Sequence, residues 1–186
     1  MNDLVLDFIN GHLAGRWDLL DDQAVWWAKE GIFLLAAVAG AFGLWELRRS
    51  PRRAVLIAAS VVAGAIAAGI LLLIAAGSIT EARPFVTDHD TIQLLKHSQD
   101  NSFPSDHATL AGVIAVAASL AWKRWAALFL ALGIIIGLSR VVSGVHYPGD
   151  VVAGWAIGGG SAFTAWWACR RFAPAALTSE LEPVSA

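Results

Sequence analysis

Apolar and polar positions divide the chain into five long apolar runs, separated by short polar breaks and one long polar connection. Residues 1–23 are different in kind. Leu4, Val5, Phe8, Ile9 and Leu13 recur at helical spacing among Asp3, Asp7, Asn10 and His12, and Arg16 and an acidic patch from Asp18 to Asp22 follow. That pattern predicts an amphipathic helix on a membrane surface, because Asp7 and its polar neighbours are costly inside a span. The first apolar run, 24–45, is interrupted near its start by Lys29 and Glu30 and ends before Arg48, Arg49, Arg52 and Arg53. Residues 54–77 then hold 24 positions without a charge, about 36 Å of helix and enough to cross the hydrocarbon with some tilt. Three more runs occupy 104–122, 125–145 and 151–169. The expected architecture is all-α: a polytopic membrane helix bundle of about five spans plus an N-terminal interfacial helix. It forms a single domain over 1–172, with 173–186 expected as a disordered tail.

Composition supports that class, since 57% of residues are hydrophobic and only 15% charged, well away from an ordinary soluble domain. Basic clusters at 48–53, 123–124 and 170–171 hold four, two and two of the thirteen Lys and Arg residues. Strict alternation of five spans puts all three on one side, which the positive-inside rule makes cytoplasmic. Trp45, Trp122, Trp125, Trp166 and Trp167 flank the same clusters, as an interfacial aromatic belt does. The loop 78–103, the Pro104 turn and the 146–150 connection then share the extracytoplasmic side. A net charge of −2 gives no case for nucleic acid as a partner. The single Cys169 cannot form an internal disulfide. Asp3 and Asp7, with no basic cluster, do not match a secretory signal peptide, so none is expected. The partners implied are the bilayer and a lipid; oligomeric state is not indicated.

Chemistry concentrates where that topology brings distant segments together. Arg83-Pro84, then Pro104-Ser105-Asp106-His107, then Ser139-Arg140 with His146 and Asp150 all fall on the extracytoplasmic side. An ionisable group at the end of a span is costly and is a functional-site candidate by default. Asp150, four residues after His146, can fix the ring's tautomer and leave the other nitrogen to attack phosphorus. His107 can protonate a leaving oxygen and then activate water. Arg83 and Arg140 can hold the equatorial oxygens on which transition-state charge develops. Ser105 has the position of a helix N-cap, which would point free N–H groups at a phosphate. Plainer readings stand beside these: Arg140 snorkelling from its span end, His146 as an exposed loop residue, His107 as a buried structural histidine. His12, His89 and His97 read as surface residues. No compact ligand motif calls for a metal, and no cofactor is implied.

These motifs together resemble the type 2 phosphatidic acid phosphatase superfamily, whose pattern is a lysine seven residues before the arginine of Arg-Pro, then Pro-Ser-Gly-His, then Ser-Arg with His and Asp at fixed offsets. Ser102-Phe103-Pro104-Ser105-Asp106-His107 with Val145-His146-Tyr147-Pro148 is similar to the undecaprenyl-diphosphatases of the bacitracin-resistance type. The resemblance implies a phosphatase of the bacterial plasma membrane, active on undecaprenyl diphosphate through a phosphohistidine and serving cell-wall biogenesis. Phosphatidic acid or phosphatidylglycerophosphate is the alternative substrate, and a non-catalytic lipid phosphate carrier or transporter the alternative class. Two positions depart from the pattern: Ala76 stands where the lysine is usual, and Asp106 replaces glycine. We expect Asp106 to offer the phosphate its backbone N–H while its carboxylate faces the helix flank or solvent. Lys29, about one turn into the first span at the depth of Arg140, is a candidate for the missing cation, against a plainer role at the interface or paired with Glu30. Lys96 is the other contender.

Overall fold

The computed structural model describes residues 2–172. Among these described residues eight α-helices follow one another: α1 (Asn2–Leu13), α2 (Asp18–Lys29), α3 (Gly31–Arg49), α4 (Pro51–Ser78), the single turn α5 (Pro84–Thr87), α6 (Asp106–Ala121), α7 (Ala126–Val142) and α8 (Pro148–Phe172). A 3-10 turn at Lys123–Trp125 precedes α7, and no strand occurs among the described residues. The all-helical expectation holds; the tail expected at 173–186 lies outside the described residues. By length and composition, Gly31–Arg49, Pro51–Ser78 and Lys123–Val142 can each cross a membrane, and Asp106–Ala121 is a shorter apolar helix. Val62, Ile66, Ile70 and Leu73 on α4 are exposed, an apolar outer face that water would penalise and lipid accepts. The protein is an integral membrane protein.

The N-terminal region departs from the expected single helix over 1–23 and first span from 24. The chain breaks twice, at Ala14–Trp17 and at Glu30, so that α2 runs across the expected boundary and the apolar helix begins at Gly31. The first break is a turn in which Gly15 has φ +67° and donates its N–H to the Asp21 carboxylate at 3.0 Å. Asp18 and Asp21 sit in the first turn of α2, where a negative charge complements the helix dipole. Acidic residues placed at a helix start thus outweigh the apolar pattern that continues through them.

α6 lies at the centre, packed on α8, α7 and α4. Its contact with α8 is backbone on backbone. A Cβ at Gly158 would lie 2.0 Å from the Thr109 carbonyl oxygen, and one at Gly154 2.6 Å from that of Ser105. Glycine alone admits that approach, and it brings the N-terminal ends of α6 and α8 side by side, where Ser105 N–H donates to the Asp150 carbonyl at 3.1 Å. The α7–α8 turn needs Gly144 as well: φ is +73°, and a Cβ there would meet the Ile92 carbonyl oxygen at 2.5 Å. Across this turn lies the 88–103 loop, held by Leu94 N–H to the Ser143 carbonyl at 3.2 Å. Buried Asn10 of α1 donates to the carbonyls of Ile92 and Val142, both at 2.9 Å, and accepts from Ile92 N–H at 2.8 Å. α1 therefore fastens the loop to the bundle in addition to presenting Leu4 and Phe8 outward.

Candidate active site

The segments that build the site are short and locally determined. Arg83 takes the extended conformation (φ −67°, ψ 151°) that a following proline favours, and its helix-capping position turns the side chain back toward the α7–α8 turn. Thr87 at the end of α5 shares a 2.8 Å hydrogen bond with the Tyr147 hydroxyl, tying α5 to the turn that carries His146. Ser105 is the N-cap of α6, its hydroxyl accepting from Ala108 N–H at 3.4 Å.

His146 and Asp150 are both essentially inaccessible, at 1% and 0% exposure. Asp150 Oδ2 gathers three donors: the Ser102 hydroxyl, Tyr147 N–H at 2.9 Å and His146 Nδ1 at 3.4 Å. With Nδ1 facing these acceptors, the lone pair belongs to Nε2, and Arg83 Nη1 donates to it at 3.2 Å. Burial first, then the charges of Arg140 and Arg83, hold His146 below the ordinary imidazole range despite the opposing Asp150 hydrogen bond. The ring is therefore neutral at pH 7, the form a nucleophile requires. Arg83 is itself nearly buried and is aimed by Asp100 Oδ1 at 2.7 Å and by the carbonyls of Val145 at 2.8 Å and Asn101 at 3.3 Å.

Arg140 is the anomaly. It is 2% exposed, and its one hydrogen bond runs from Nη1 to the Ala28 carbonyl at 3.0 Å. Nε and Nη2 are buried without a partner. A buried guanidinium with two unmet nitrogens is expensive even with the Asp106 carboxylate near enough to act on its charge, and an anion bound between it and Arg83 would relieve that cost. Lys29 follows Ala28, is exposed at the end of α2, and forms no ion pair with Glu30 or with any other described residue.

His107, at the start of α6, has its Nδ1 3.0 Å from Asp106 Oδ1, which also accepts His107 N–H at 2.7 Å. The Asp106 side chain is 66% exposed, facing solvent as expected, but its carboxylate is engaged in orienting a second histidine. The site thus contains two close His–Asp pairs, one buried and one open, besides a looser contact of His97 Nδ1 with Asp100 at 3.8 Å. Among the described residues no cluster of three His, Cys, Asp or Glu could hold a metal ion.

Four participants escaped the sequence reading. Ser102 completes the Asp150 network; Asp100 and Asn101 position Arg83, and Asn101 also donates to the carbonyl of Ala76 at 3.0 Å, filling space beside the position where the superfamily has lysine. His97, read as a surface residue, packs edge-on to His146 with ring centroids 6.3 Å apart. The available signal was the density of polar residues from 96 to 102 immediately before the Pro104 motif.

Buried arginines thus surround a buried imidazole on an all-helical membrane bundle, an arrangement suited to a membrane lipid phosphatase. The sequence pattern of the PAP2 superfamily matches residues 54–173, and the chain belongs to that superfamily. It is 35% identical to a bacitracin transport permease protein BcrC of Bacillus licheniformis, over 86% of this chain and 76% of that one. It is 30% identical to the undecaprenyl-diphosphatase BcrC of Bacillus subtilis, over 82% and 76% respectively. The fold is shared with the crystal structure of Aquifex aeolicus LpxE, with a TM-score of 0.71 at 22% identity over 88% of this chain and 93% of that one. The chain is a hydrolase of phosphoric anhydride or phosphate ester bonds.

Proposed function

We propose that the protein converts undecaprenyl diphosphate to undecaprenyl phosphate and inorganic phosphate at the extracytoplasmic face of a bacterial plasma membrane. The observation that carries this reading is Arg140, buried with two unpartnered nitrogens beside a neutral, carboxylate-oriented histidine. The name of the Bacillus subtilis relative, an undecaprenyl-diphosphatase, supports a polyprenyl diphosphate as the substrate. On binding, the terminal phosphate takes Arg83 Nη1 from His146 Nε2 and fills the open valences of Arg140. Nε2 attacks phosphorus, the bond to the bridging oxygen breaks, and undecaprenyl phosphate departs with a proton from His107. Asp150 and Ser102 keep the Nδ1 proton in place while the phosphohistidine forms. Water then displaces phosphate from Nε2. The first turn of α6, capped by Ser105, supports the phosphate with N–H groups, that of Asp106 among them. No step calls on a metal.

The topology belongs to the same reading: spans near 24–45, 54–77, 104–122, 125–145 and 151–169, with the basic clusters inside. A reporter fused near residue 50 or 123 is expected to read cytoplasmic, and one near 92 or 148 extracytoplasmic. The test of function is phosphate release by the purified protein in detergent from undecaprenyl diphosphate compared with phosphatidic acid. Preference for the diphosphate is expected. Preference for phosphatidic acid reassigns the substrate, and no release from any lipid phosphate returns the carrier reading, which leaves the His146–Asp150–Ser102 network without a task.

A further inference from the structure

His97 lies outside every motif used above, yet the fold holds it in the site. Two residues before it, Leu95 is buried with Ala28 and Val145, next to the Arg140 acceptor on one side and the nucleophile on the other. Three residues after it, Asp100 binds Arg83 Nε at 2.7 Å. A ring between two such anchors is not a loose surface histidine, and it meets His146 at an interplanar angle of 72°.

The hydrogen bonds around that ring assign its tautomer. Nδ1 lies 3.3 Å from the Ser98 carbonyl oxygen, which can only accept. The Ser98 hydroxyl, 3.4 Å from the same nitrogen, spends its own proton on Asp100 Oδ2 at 2.8 Å, and Asp100 Oδ1 is 3.8 Å away. Three acceptors converge on Nδ1, so Nδ1 carries the hydrogen, and no hydrogen bond occupies Nε2. Burial first, then the charge of Arg83, pushes His97 below the ordinary imidazole range. The groups around it are Arg83, Arg140, Asp100 and His146, and the two arginines oppose a positive ring. Its side chain is 22% exposed while that of His146 is 1%, so water reaches His97 where the nucleophile is sealed. A neutral imidazole with a free lone pair, reached by water and with its ring centre 6.3 Å from that of His146, has the properties of a base.

Resting on the covalent reading above, we propose that His97 is the general base of the second half-reaction. It would take a proton from the water that attacks the phosphohistidine, while His107 serves as the acid of the first. In that step water oxygen bonds to phosphorus, the P–N bond breaks and its electron pair returns to His146 Nε2. The water proton passes to His97 Nε2, and inorganic phosphate leaves. Solvent then removes the proton from His97.

The experiment is rapid quench with polyprenyl diphosphate labelled in its terminal phosphate, reading acid-labile phosphoenzyme and free phosphate separately. In His97→Asn the amide keeps a donor toward Ser98 but has nothing at the Nε2 position; His97→Gln is the companion variant should the first fail to fold. Phosphoenzyme formation is expected to stay within about two-fold of the unsubstituted protein. Its hydrolysis should fall about 100-fold, the usual worth of a general base, so that phosphoenzyme accumulates toward one per chain. Formation and hydrolysis slowing together, or neither changing, overturns the role of His97 alone. If the unsubstituted protein releases phosphate without any acid-labile phosphoenzyme, the covalent reading falls and the His97 role with it.

Discussion

Charge is buried at both ends of this bundle, and the two ends treat it differently. At the end with the basic clusters, Glu46 of α3 is 3% exposed and accepts Trp122 Nε1–H at 3.1 Å. It pairs with Arg53 of α4 at 3.5 Å, and Arg53 in turn donates to the Ala121 carbonyl at 2.8 Å. Each charge meets its opposite, with only Arg53 Nε left without a hydrogen bond, and three helices are joined through them. At the other end Arg140 is as deeply buried but meets only one backbone carbonyl. A buried ion that is paired serves the fold; one left with open valences marks where an anion is to bind.

Substitutions should separate the two. Arg140→Met is expected to lower kcat/KM by 100- to 1,000-fold, about the loss from removing one transition-state donor. The thermal midpoint in detergent should be unchanged or raised, because a buried charge with two unmet nitrogens leaves the core. A clear drop in midpoint would show that Arg140 serves the fold after all. Glu46→Ala should do the reverse, costing about 3 kcal/mol by stranding Arg53 while activity per folded molecule stays within two-fold. Loss of activity at full stability would couple the far end to the site and end the comparison.

The two His–Asp pairs sharpen the same contrast within the site. His107→Ala should reduce hydrolysis of a lipid monophosphate at least ten-fold more than that of a diphosphate, because an alkoxide needs protonation far more than a departing phosphate ester. Asp106→Gly, the superfamily's usual residue, should reproduce a part of that difference by releasing Nδ1. Equal losses on both substrates would reject His107 as the acid.

The helical architecture was legible because long apolar runs leave little alternative, and the Arg83, Ser105, His107, Arg140, His146 and Asp150 set was legible because motif spacing carries it. What escaped depended on tertiary contacts. No spacing links Ser102 to Asp150, 48 residues away, or Asn10 to Val142, 132 residues away. Glu46 reads as one charge beside a basic cluster until Trp122 is folded against it. The α2 boundary was misread because Lys29 and Glu30 read as a brief interruption within one apolar run, whereas the backbone stops one helix there and starts another.

The smallest expected effect concerns the cation missing at Ala76. Asn101 contacts the Ala76 carbonyl but brings no charge, and a diphosphate carries more negative charge than Arg83 and Arg140 neutralise. Lys29 remains the candidate: its neighbour Ala28 is the backbone group that Arg140 touches, and its side chain is exposed and unpaired with Glu30. A flexible ammonium at that point can swing to the outer phosphate without contributing to the resting structure. Lys29→Met should therefore raise KM for the diphosphate several-fold, leave kcat and the thermal midpoint unchanged, and affect a monophosphate less, the pattern of lost ground-state binding. Lys96, exposed and next to His97, is the control. If Lys29→Met is silent and Lys96→Met raises KM in the same way, the loop that carries His97 supplies the missing charge as well.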